Sequence, residues 1–298
     1  MHIIIFGKYS PISQELIKVI VIKGYSYELI NIRELDITFC KNINLLFDAL
    51  IKRPDVIIFC GGYTNIELAQ QEYFKALYSN STTPIILSNY AAKHNIKFIY
   101  YSSDHVIGNI QNITEFSEKD QCRPINNYGM SKLLGEFGIQ KSGCDYLIIR
   151  KSLIFTKSIN NFISKLLHKA SKSEVLYIPR NHLCSPTSGK YLASATIELL
   201  DKNCWNEIIH ISNGPCVSIF DFCNYIITLA YKQNHKITLK DLVPIDSSIL
   251  GENGFHGSLI PMKISNLSKL YNIQQYNWKD ILGNEDLEEY KTIVNSLL

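Results

Sequence analysis

The sequence HIIIFGKYSPISQELIKVIVIKG, residues 2–24, decides the fold. Its first part, HIIIFG (2–7), is an apolar run that ends in glycine, which is typical of a buried parallel strand. Residues 13–24 have the apolar spacing of an amphipathic helix. A strand, a glycine and a helix in this order form the phosphate loop of dinucleotide-binding folds. Gly7 therefore marks a candidate phosphate loop.

The alternation of strand and helix continues through the first half of the chain. Apolar runs typical of buried strands follow at 27–32, 55–62, 96–104 and 145–155, and helical spacing occurs at 42–54, 84–95 and 126–143. Because strands and helices alternate strictly, we predict an α/β fold with a doubly wound parallel sheet of the Rossmann type.

The pattern becomes looser after residue 155. Helices are predicted at 161–172, 190–200, 219–233, 278–282 and 287–298, and a further strand at 207–214. We predict a dinucleotide-binding Rossmann domain over 1–155, to which segments at about 183–213 return. Residues 156–298 are then mainly a smaller, substrate-binding C-terminal lobe.

Composition and charge exclude several classes of protein. Of the 298 residues, 46% are hydrophobic and 19% charged, which is typical of a folded chain. The net charge is only +3 and no basic block occurs, so a nucleic-acid partner is not predicted. No apolar run approaches the roughly 20 residues of a membrane span, and no signal peptide is recognised, so we predict a cytoplasmic protein without a membrane partner.

The eight cysteines support the same compartment. None of them forms a C-x-x-C pair, so no metal or redox motif is predicted. Several lie in apolar runs such as VIIFC, which indicates buried, reduced thiols.

The strongest chemical signal is YGMSK, from Tyr128 to Lys132. The two side chains lie on one face of a helix because they are four residues apart. Reduction of a ketone needs an acid that protonates the oxygen, and a nearby ammonium would lower the phenol's pKa toward neutrality. Lys132 could also hold the ribose hydroxyls of a nicotinamide cofactor. Taken alone, the pair is equally compatible with an ordinary surface helix, since the chain has 18 tyrosines.

A serine upstream favours the catalytic interpretation of Tyr128 and Lys132 over an ordinary surface helix. The fourth predicted strand ends in YYSSDHVIG, residues 100–108, which places Ser103 at the carboxyl end of a parallel strand, next to a ligand crevice. Ser103 could then donate to the same carbonyl oxygen as Tyr128. A glycine loop, a glycine pair at Gly61 and Gly62, this serine and Tyr-x-x-x-Lys follow one another in a specific order.

With these motifs the chain resembles the extended short-chain dehydrogenase/reductase family, and within it the dTDP-4-dehydrorhamnose reductase family, which reduces nucleotide-linked 4-keto-6-deoxysugars. The resemblance covers residues 1 to about 200 well. The segments that carry it are IIIFGK, RPDVIIFCGGYTNIELA, YYSSDHVIG, INNYGMSKLLGE, YLIIRKSLIF, NNF and SPTSGKYLA. It implies an NAD(P)H-dependent oxidoreductase with a nucleotide-sugar substrate, Tyr128 as general acid, and Lys132 and Ser103 as its partners.

The resemblance also implies a cofactor site and a substrate site. The cofactor residues are Gly7, Lys8, Ser10 and Ile12 along the pyrophosphate, Cys60, Gly61 and Gly62 over the third strand, Arg33 and Asp36 at the adenine side, Lys132 at the ribose, and Arg150 and Ser152 below the nicotinamide. The substrate residues are Tyr63, Asp104, Asn161 and His182. Arg33 could bind a 2′-phosphate, which favours NADPH over NADH, although it is also compatible with a solvated charge.

The chain departs from the family at three places. The usual loop G-x-x-G-x-x-G reads G-x-x-S-x-x-S here, with Ser10 as a possible phosphate donor and Ser13 as a helix N-cap. Ile260 stands before Pro261 where relatives carry a nucleotide-binding arginine, so the nucleotide and the sugar stay open. The third place is position 105, which is a histidine here. Simple reductases of the family have tyrosine at this position, whereas bifunctional epimerase/reductases such as GDP-fucose synthase have a cysteine that acts as the acid and base of epimerisation.

Three functions are therefore compatible with the sequence. The first is the reductase. The second is a non-catalytic regulatory subunit similar to the β-subunit of methionine adenosyltransferase, which the missing glycines favour. The third is a bifunctional 3,5-epimerase and 4-reductase in which His105 removes a proton next to the ketone. Relatives are often dimers, so a homodimer is a further expectation.

Overall fold

A computed structural model describes residues 1–31, 40–48, 50, 52–108, 114–157, 161–233, 236–250 and 261–283. At its centre lies a six-stranded sheet in the order β10-β5-β4-β3-β1-β2. Its strands are β1 (His2–Phe6), β2 (Ser26–Ile30), β3 (Val56–Phe59), β4 (Lys97–Ser103), β5 (Tyr146–Lys151) and β10 (Glu207–His210). All neighbouring pairs run parallel, which confirms the predicted sheet.

The helices and the short strands complete the chain. The helices are α1 (Pro11–Ile22), α2 (Cys40–Asp48), α3 (Ile66–Gln71), α4 (Tyr73–Leu77), α5 (Thr83–Lys93), α6 (Asn127–Lys141), α7 (Phe162–Ala170), α8 (Gly189–Asp201), α9 (Ile219–Lys232), α10 (Ser265–Tyr271) and α11 (Trp278–Gly283). The short strands are β6 (Ile154–Phe155), β7 (Val175–Pro179), β8 (Leu183–Cys184), β9 (Thr187–Ser188), β11 (Val217–Ser218) and β12 (Asp241–Ile245).

Both faces of the sheet are covered, which explains why its strands are continuous apolar runs. One face packs on α1 and α8, and its core contains Ile3, Leu16, Ile58 and Leu192. The other face packs on α5 and α6. All five residues of β1 are buried. Because successive side chains alternate between the two faces, the two residues that end each strand go to different sides of the sheet.

The C-terminal lobe has a core of its own, built by α7, α9 and α11 around Phe222 and Trp278. These two rings meet edge to face, with centroids 5.2 Å apart. A parallel pair of strands, β7 and β12, borders this core. Two elements from beyond residue 155 lie against the Rossmann sheet instead, since α8 packs on α1 and β10 pairs with β5. The division of domains at residue 155 stays a prediction.

Some predicted bounds differ from the structure. The strand predicted at 145–155 is two strands, β5 and β6, because the Ser152 amide leaves the ladder and donates to the Ser212 hydroxyl. The first helix begins at Pro11 rather than at residue 13. The residues of α3, α4 and a π-helical turn at Tyr78–Thr82 were not predicted to be helical. The helix predicted at 287–298 lies outside the described residues.

Within the described part of the chain, no helix combines the length and the hydropathy that crossing a membrane requires.

Candidate active site

The phosphate loop, residues 7–13, is fixed by a close approach between two backbones. Gly7 follows β1 with φ +108°, a conformation that side chains rarely adopt. A Cβ on Gly7 would lie 2.6 Å from the Gly61 amide nitrogen and 2.8 Å from the Cys60 carbonyl carbon. The loop after β1 and the loop after β3 can therefore touch only because residue 7 is glycine.

The two serines of the phosphate loop stand where glycine is not needed. Ser10 has φ −70° and ψ 135°, an extended conformation open to any residue. Ser13 lies inside the first turn of α1, and its hydroxyl donates to the Gly7 carbonyl at 2.7 Å. The prediction of Ser13 as N-cap is therefore wrong, because Pro11 occupies the first helical position and Ser10 precedes it.

The start of α1 offers backbone donors, as the first turn of any helix does. Pro11 has no N–H, and the amides of Ser10 and Ser13 already donate to the Gly7 and Ser10 carbonyls. Among the described residues, the Ile12 amide is the first-turn donor that the loop does not use for itself. The Ile12 side chain is buried in the core, so only its backbone faces the helix end. This backbone amide fits the predicted place along a pyrophosphate.

The loop after β3 is clamped by Asn80, which the sequence did not single out. The Asn80 amide oxygen accepts from the Tyr63 N–H, and its nitrogen donates to the Tyr63 carbonyl, both at 3.0 Å. The same nitrogen donates to the Ser131 hydroxyl of α6 at 3.0 Å. A Cβ on Gly62, which has φ +149°, would lie 2.6 Å from the Asn80 oxygen and 3.3 Å from Lys132 Nζ. Asn80 therefore holds the glycine pair beside the helix of Tyr128 and Lys132.

Ser103 ends β4 in a buried hydrogen-bond network. Its hydroxyl donates to Asp104 Oδ1 at 3.0 Å and accepts from the His105 amide at 3.3 Å. The other carboxylate oxygen of Asp104 accepts from the Ser152 hydroxyl at 2.6 Å. Ser152 also accepts from the Ser185 amide. Each carboxylate oxygen of Asp104 thus accepts a hydrogen bond from a serine hydroxyl, and Asp104 holds the Ser103 hydroxyl in place.

Tyr128 lies in the first turn of α6 and is brought next to Ser103. It is buried, and burial raises the pKa of its phenol to about 12; a hydrogen bond with Ser103 lowers that pKa and the charge of Asp104 raises it further. The direction is opposite to the one expected from a neighbouring ammonium. Burial is the main cause of the raised pKa, and Lys132 Nζ donates to the Tyr101 carbonyl at 2.9 Å and lies over the Tyr100 ring.

Lys132 is buried as well, with 4% of its surface exposed. Burial lowers its pKa to about 7, and the charge of Lys151 acts in the same direction while Glu136 opposes it. Lys151 ends β5 directly beside Ser103 in the sheet. Burial also lowers the pKa of Lys151, and the charge of Asp104 opposes this shift. Lys151 is not among the predicted site residues, although it lies between Arg150 and Ser152, which are.

Arg150 is not brought into this group. Its side chain lies on the face of the sheet covered by α6, where Nη2 donates to Glu136 Oε2 at 2.7 Å and Nε to Oε1 at 3.0 Å. Both side chains are almost fully buried. In the structure the pair joins β5 to α6, and a direct contact between Arg150 and a cofactor stays a prediction.

His105 lies beside Tyr128. The two rings are nearly perpendicular, with centroids 5.3 Å apart. Its Nδ1 atom is 3.1 Å from the Asn126 side-chain nitrogen. His105 is 8% exposed, so it is a pocket or core residue and not a surface one.

The other predicted substrate residues are distributed more widely. Asn161 is buried and caps α7, where its side-chain oxygen accepts from the Ile163 and Ser164 amides. His182 is buried at the start of β8, and its carbonyl accepts from the Ile219 amide. The Tyr63 hydroxyl donates to Glu72 at 2.6 Å. Contacts of these residues with a substrate stay predictions.

Of the remaining cofactor residues, Lys8 is exposed within the phosphate loop, and Cys60 is buried with its thiol pKa raised to about 12 by burial. Arg33 and Asp36, which would distinguish NADPH from NADH, lie outside the described residues.

Comparisons with known proteins identify the family of the chain. The model of a family described as "RmlD substrate binding domain" matches residues 1–290. The dTDP-4-dehydrorhamnose reductase of Aggregatibacter actinomycetemcomitans is 26% identical over 292 residues, which are 95% of this chain and 97% of the relative. The enzyme of the same name from Shigella flexneri is 30% identical over 254 residues, 81% of this chain and 82% of that protein.

Solved structures share the fold. A dTDP-4-dehydrorhamnose reductase from Clostridium acetobutylicum superposes with a TM-score of 0.85 at 22% identity, covering 99% of this chain and 100% of its own. The dTDP-4-dehydrorhamnose reductase from Bacillus anthracis, solved in complex with NADP, has a TM-score of 0.83 at 22% identity and covers 99% of both chains.

Proposed function

The chain belongs to the RmlD substrate-binding-domain family, and on that premise we propose that it is an NAD(P)H-dependent reductase of the 4-keto group of a nucleotide-linked 4-keto-6-deoxyhexose. The observation that carries the proposal is the Ser–Tyr–Lys cluster: Ser103, Tyr128 and Lys132 are all buried at the carboxyl edge of the sheet. The relatives named dTDP-4-dehydrorhamnose reductase point to the same reaction.

The raised pKa of Tyr128 suits a reduction. A phenol with a pKa of about 12 is fully protonated at neutral pH, so it is ready to act as an acid. When bound, the nicotinamide cofactor supplies the hydride that turns the ketone carbon into an alkoxide carbon. Tyr128 donates its proton to that oxygen, which is a stronger base than the phenolate left behind. The Ser103 hydroxyl stabilises this phenolate when its hydrogen turns from Asp104 Oδ1 to the Tyr128 oxygen, which is the hydrogen bond that lowers the pKa of Tyr128.

Lys132 lies on the same face of α6 as Tyr128. In its charged form the ammonium would hold the ribose hydroxyls of the cofactor and offset the phenolate. With a pKa of about 7, the group changes charge near neutral pH, and a bound phosphate-bearing ligand would favour the charged form.

The residues present fit a dinucleotide. The Ile12 amide lies in the first turn of α1 and is not used within the loop, so it can donate to a phosphate group. We propose that Gly7, Ser10, Ile12, Gly61 and Gly62 cradle the pyrophosphate and that NADPH is preferred, on the strength of Arg33.

The test is an assay of cofactor oxidation. The protein is mixed with NADPH or NADH and a panel of dTDP-, UDP- and GDP-4-keto-6-deoxyhexoses, and the loss of reduced-nicotinamide absorbance is followed. We expect turnover with at least one sugar. No turnover together with no binding of either cofactor by calorimetry would overturn the proposal and favour the regulatory-subunit alternative. Cofactor binding without turnover by any sugar of the panel would overturn the substrate class.

We also propose that the chain forms a homodimer, as relatives of the family often do. The cysteines in apolar runs, which indicate reduced thiols, support the proposal of a cytoplasmic location. Light scattering coupled to gel filtration measures the first. A mass of one chain, 34.1 kDa, at working concentration would contradict it.

A further inference from the structure

Asn126 joins two parts of the candidate site, and one of its contacts fixes the orientation of its amide. It is the N-cap of α6, and its side-chain oxygen accepts from the Gly129 amide at 2.7 Å. A backbone N–H can only donate, so the atom facing Gly129 must be the oxygen. The NH2 group of Asn126 is therefore the part of the amide that faces His105.

This orientation decides the protonation of His105. The Asn126 nitrogen lies 3.1 Å from His105 Nδ1, and the amide NH2 can only donate. His105 Nδ1 must accept, so it carries no hydrogen. In the neutral imidazole the single N–H is then on Nε2.

The position of the ring is also fixed. The His105 amide donates to the Ser103 hydroxyl at 3.3 Å, and a Cβ on Gly129 would lie 2.1 Å from the His105 carbonyl oxygen. The ring packs against the edge of Tyr128. Rotating the ring by half a turn would place Cδ2, which accepts no hydrogen bond, where Nδ1 now lies, so the contact with Asn126 would be lost.

We propose that Asn126 is a positioning residue that holds neutral His105 in the Nε2–H form, so that the Nδ1 lone pair of His105 is not available to remove a proton from a ring carbon of the nucleotide sugar. The lone pair of a neutral imidazole is on Nδ1 in this form, and Asn126 already occupies it. Removal of a proton next to the ketone needs that lone pair. The inference rests on the proposed function for the identity of the substrate, but the tautomer does not depend on it.

The tautomer is measured directly by 15N NMR of protein labelled on the histidine rings. The chain has eight histidines, so a His105→Gln variant identifies the His105 signals by their loss. We expect Nδ1 to have the shift of an unprotonated nitrogen and Nε2 that of a protonated one. A spectrum with the hydrogen on Nδ1 would overturn the proposal. This measurement needs neither cofactor nor turnover, so it stands even if the proposed reaction is wrong.

Two variants at position 126 separate positioning from helix capping. Asn126→Asp keeps an oxygen for the Gly129 amide, but its second oxygen accepts only, so the His105 hydrogen should move to Nδ1. Asn126→Ser also caps the helix, but its short hydroxyl does not reach His105, and we expect a mixture of both tautomers. An unchanged His105 spectrum in the Asp variant, with an unchanged circular dichroism spectrum, would show that Asn126 has no such role.

An activity measurement tests the chemical consequence. Reduction is run in deuterium oxide, and the product is examined for deuterium on the ring carbons next to C4. We expect the same amount of deuterium with wild-type protein and with His105→Gln, since His105 does not exchange these protons. Incorporation that disappears in His105→Gln would establish His105 as the epimerising base and overturn the proposal.

Discussion

The phosphate loop and the Ser–Tyr–Lys cluster lie at the same edge of the sheet, but they depend on different parts of the chain. In the loop, the backbone matters: Gly7 is required by its φ and by contact with Gly61, whereas two other positions accept serine. In the cluster, the side chains matter, and each is held by buried hydrogen bonds or charges.

This difference explains how two glycines of the family pattern could be replaced. Ser10 is extended and Ser13 is helical, so neither conformation needs glycine. The Ser13 hydroxyl even adds a bond to Gly7 within the loop. The three glycines of the family pattern therefore meet different requirements. Of these three positions in this chain, the conformation and contacts require glycine only at Gly7. A side chain that performs chemistry has no comparable substitute.

The largest effect is expected at Tyr128. Tyr128→Phe removes the proton donor but keeps the ring, so kcat should fall by roughly 10²- to 10⁴-fold while the melting temperature stays close to that of the wild type. Steady-state kinetics and thermal unfolding measure both quantities. Tyr177→Phe, at an exposed tyrosine of the C-terminal lobe, is the matched control and should leave kcat unchanged. A Tyr128→Phe protein with normal kcat would exclude the proposed acid.

The buried ion pair between Glu136 and Arg150 should contribute strongly to the free energy of unfolding. Glu136→Gln leaves the Arg150 guanidinium buried without its carboxylate, which costs about 3–5 kcal/mol of unfolding free energy. Urea denaturation measures this loss. The control is Glu174→Gln, which breaks an exposed ion pair with Lys240 and should change little. Equal effects of the two changes would show that α6 is held to β5 by other contacts.

Lys132 should make stability depend on pH. Its pKa is about 7 in the folded protein and has its ordinary value of 10.5 in the unfolded chain. Between these values the unfolded state binds more protons, so unfolding free energy should increase as pH rises from 7 toward 10. In Lys132→Met this contribution is absent, and the gain between pH 7 and pH 9 should be smaller by about 2 kcal/mol. Parallel curves for the two proteins would mean that Lys132 is not strongly desolvated.

Gly7→Ala tests the backbone requirement of the loop. Positive φ and contacts of 2.6 and 2.8 Å with backbone should together cost about 2–3 kcal/mol and weaken cofactor binding. Gly24→Ala is a matched control, because Gly24 also has a positive φ, +70°, but nothing lies within 4 Å of an added Cβ. The difference between the two variants isolates the contact with Gly61. If both lose the same stability, φ alone explains the glycine.

The smallest effects are expected at the two serines. Ser13→Ala removes the hydrogen bond to the Gly7 carbonyl and should cost about 1 kcal/mol. Ser10→Gly should stay within about 0.5 kcal/mol, since Ser10 makes no capping bond. Denaturant unfolding and cofactor titration measure both. A large loss of cofactor affinity in Ser10→Gly alone would reveal that its hydroxyl binds phosphate.

Most of the fold could be predicted because parallel strands covered on both faces leave continuous apolar runs. The order of Gly7, Ser103 and Tyr128-x-x-x-Lys132 likewise indicated one site, since the carboxyl ends of parallel strands share an edge. The helices at 66–82 were missed because their apolar spacing is short and broken by polar residues. Asn80 was missed because a hydrogen-bonding amide has no signature in a single sequence. Asn126 stands at the start of a predicted helix, as N-cap residues do, but its contact with His105 could not be predicted from the sequence.

By itself, the sequence determined the parallel sheet, the edge at which the site lies and the residue types that can carry the reaction. These follow from local periodicity and from spacing along one chain. Only the tertiary structure decided how each group is protonated and held. The pKa of Tyr128 rises and that of Lys132 falls because distant segments bury both, and the tautomer of His105 follows from a contact 21 residues away. Burial and hydrogen-bond partners are properties of the packed chain, so no stretch of sequence contains them.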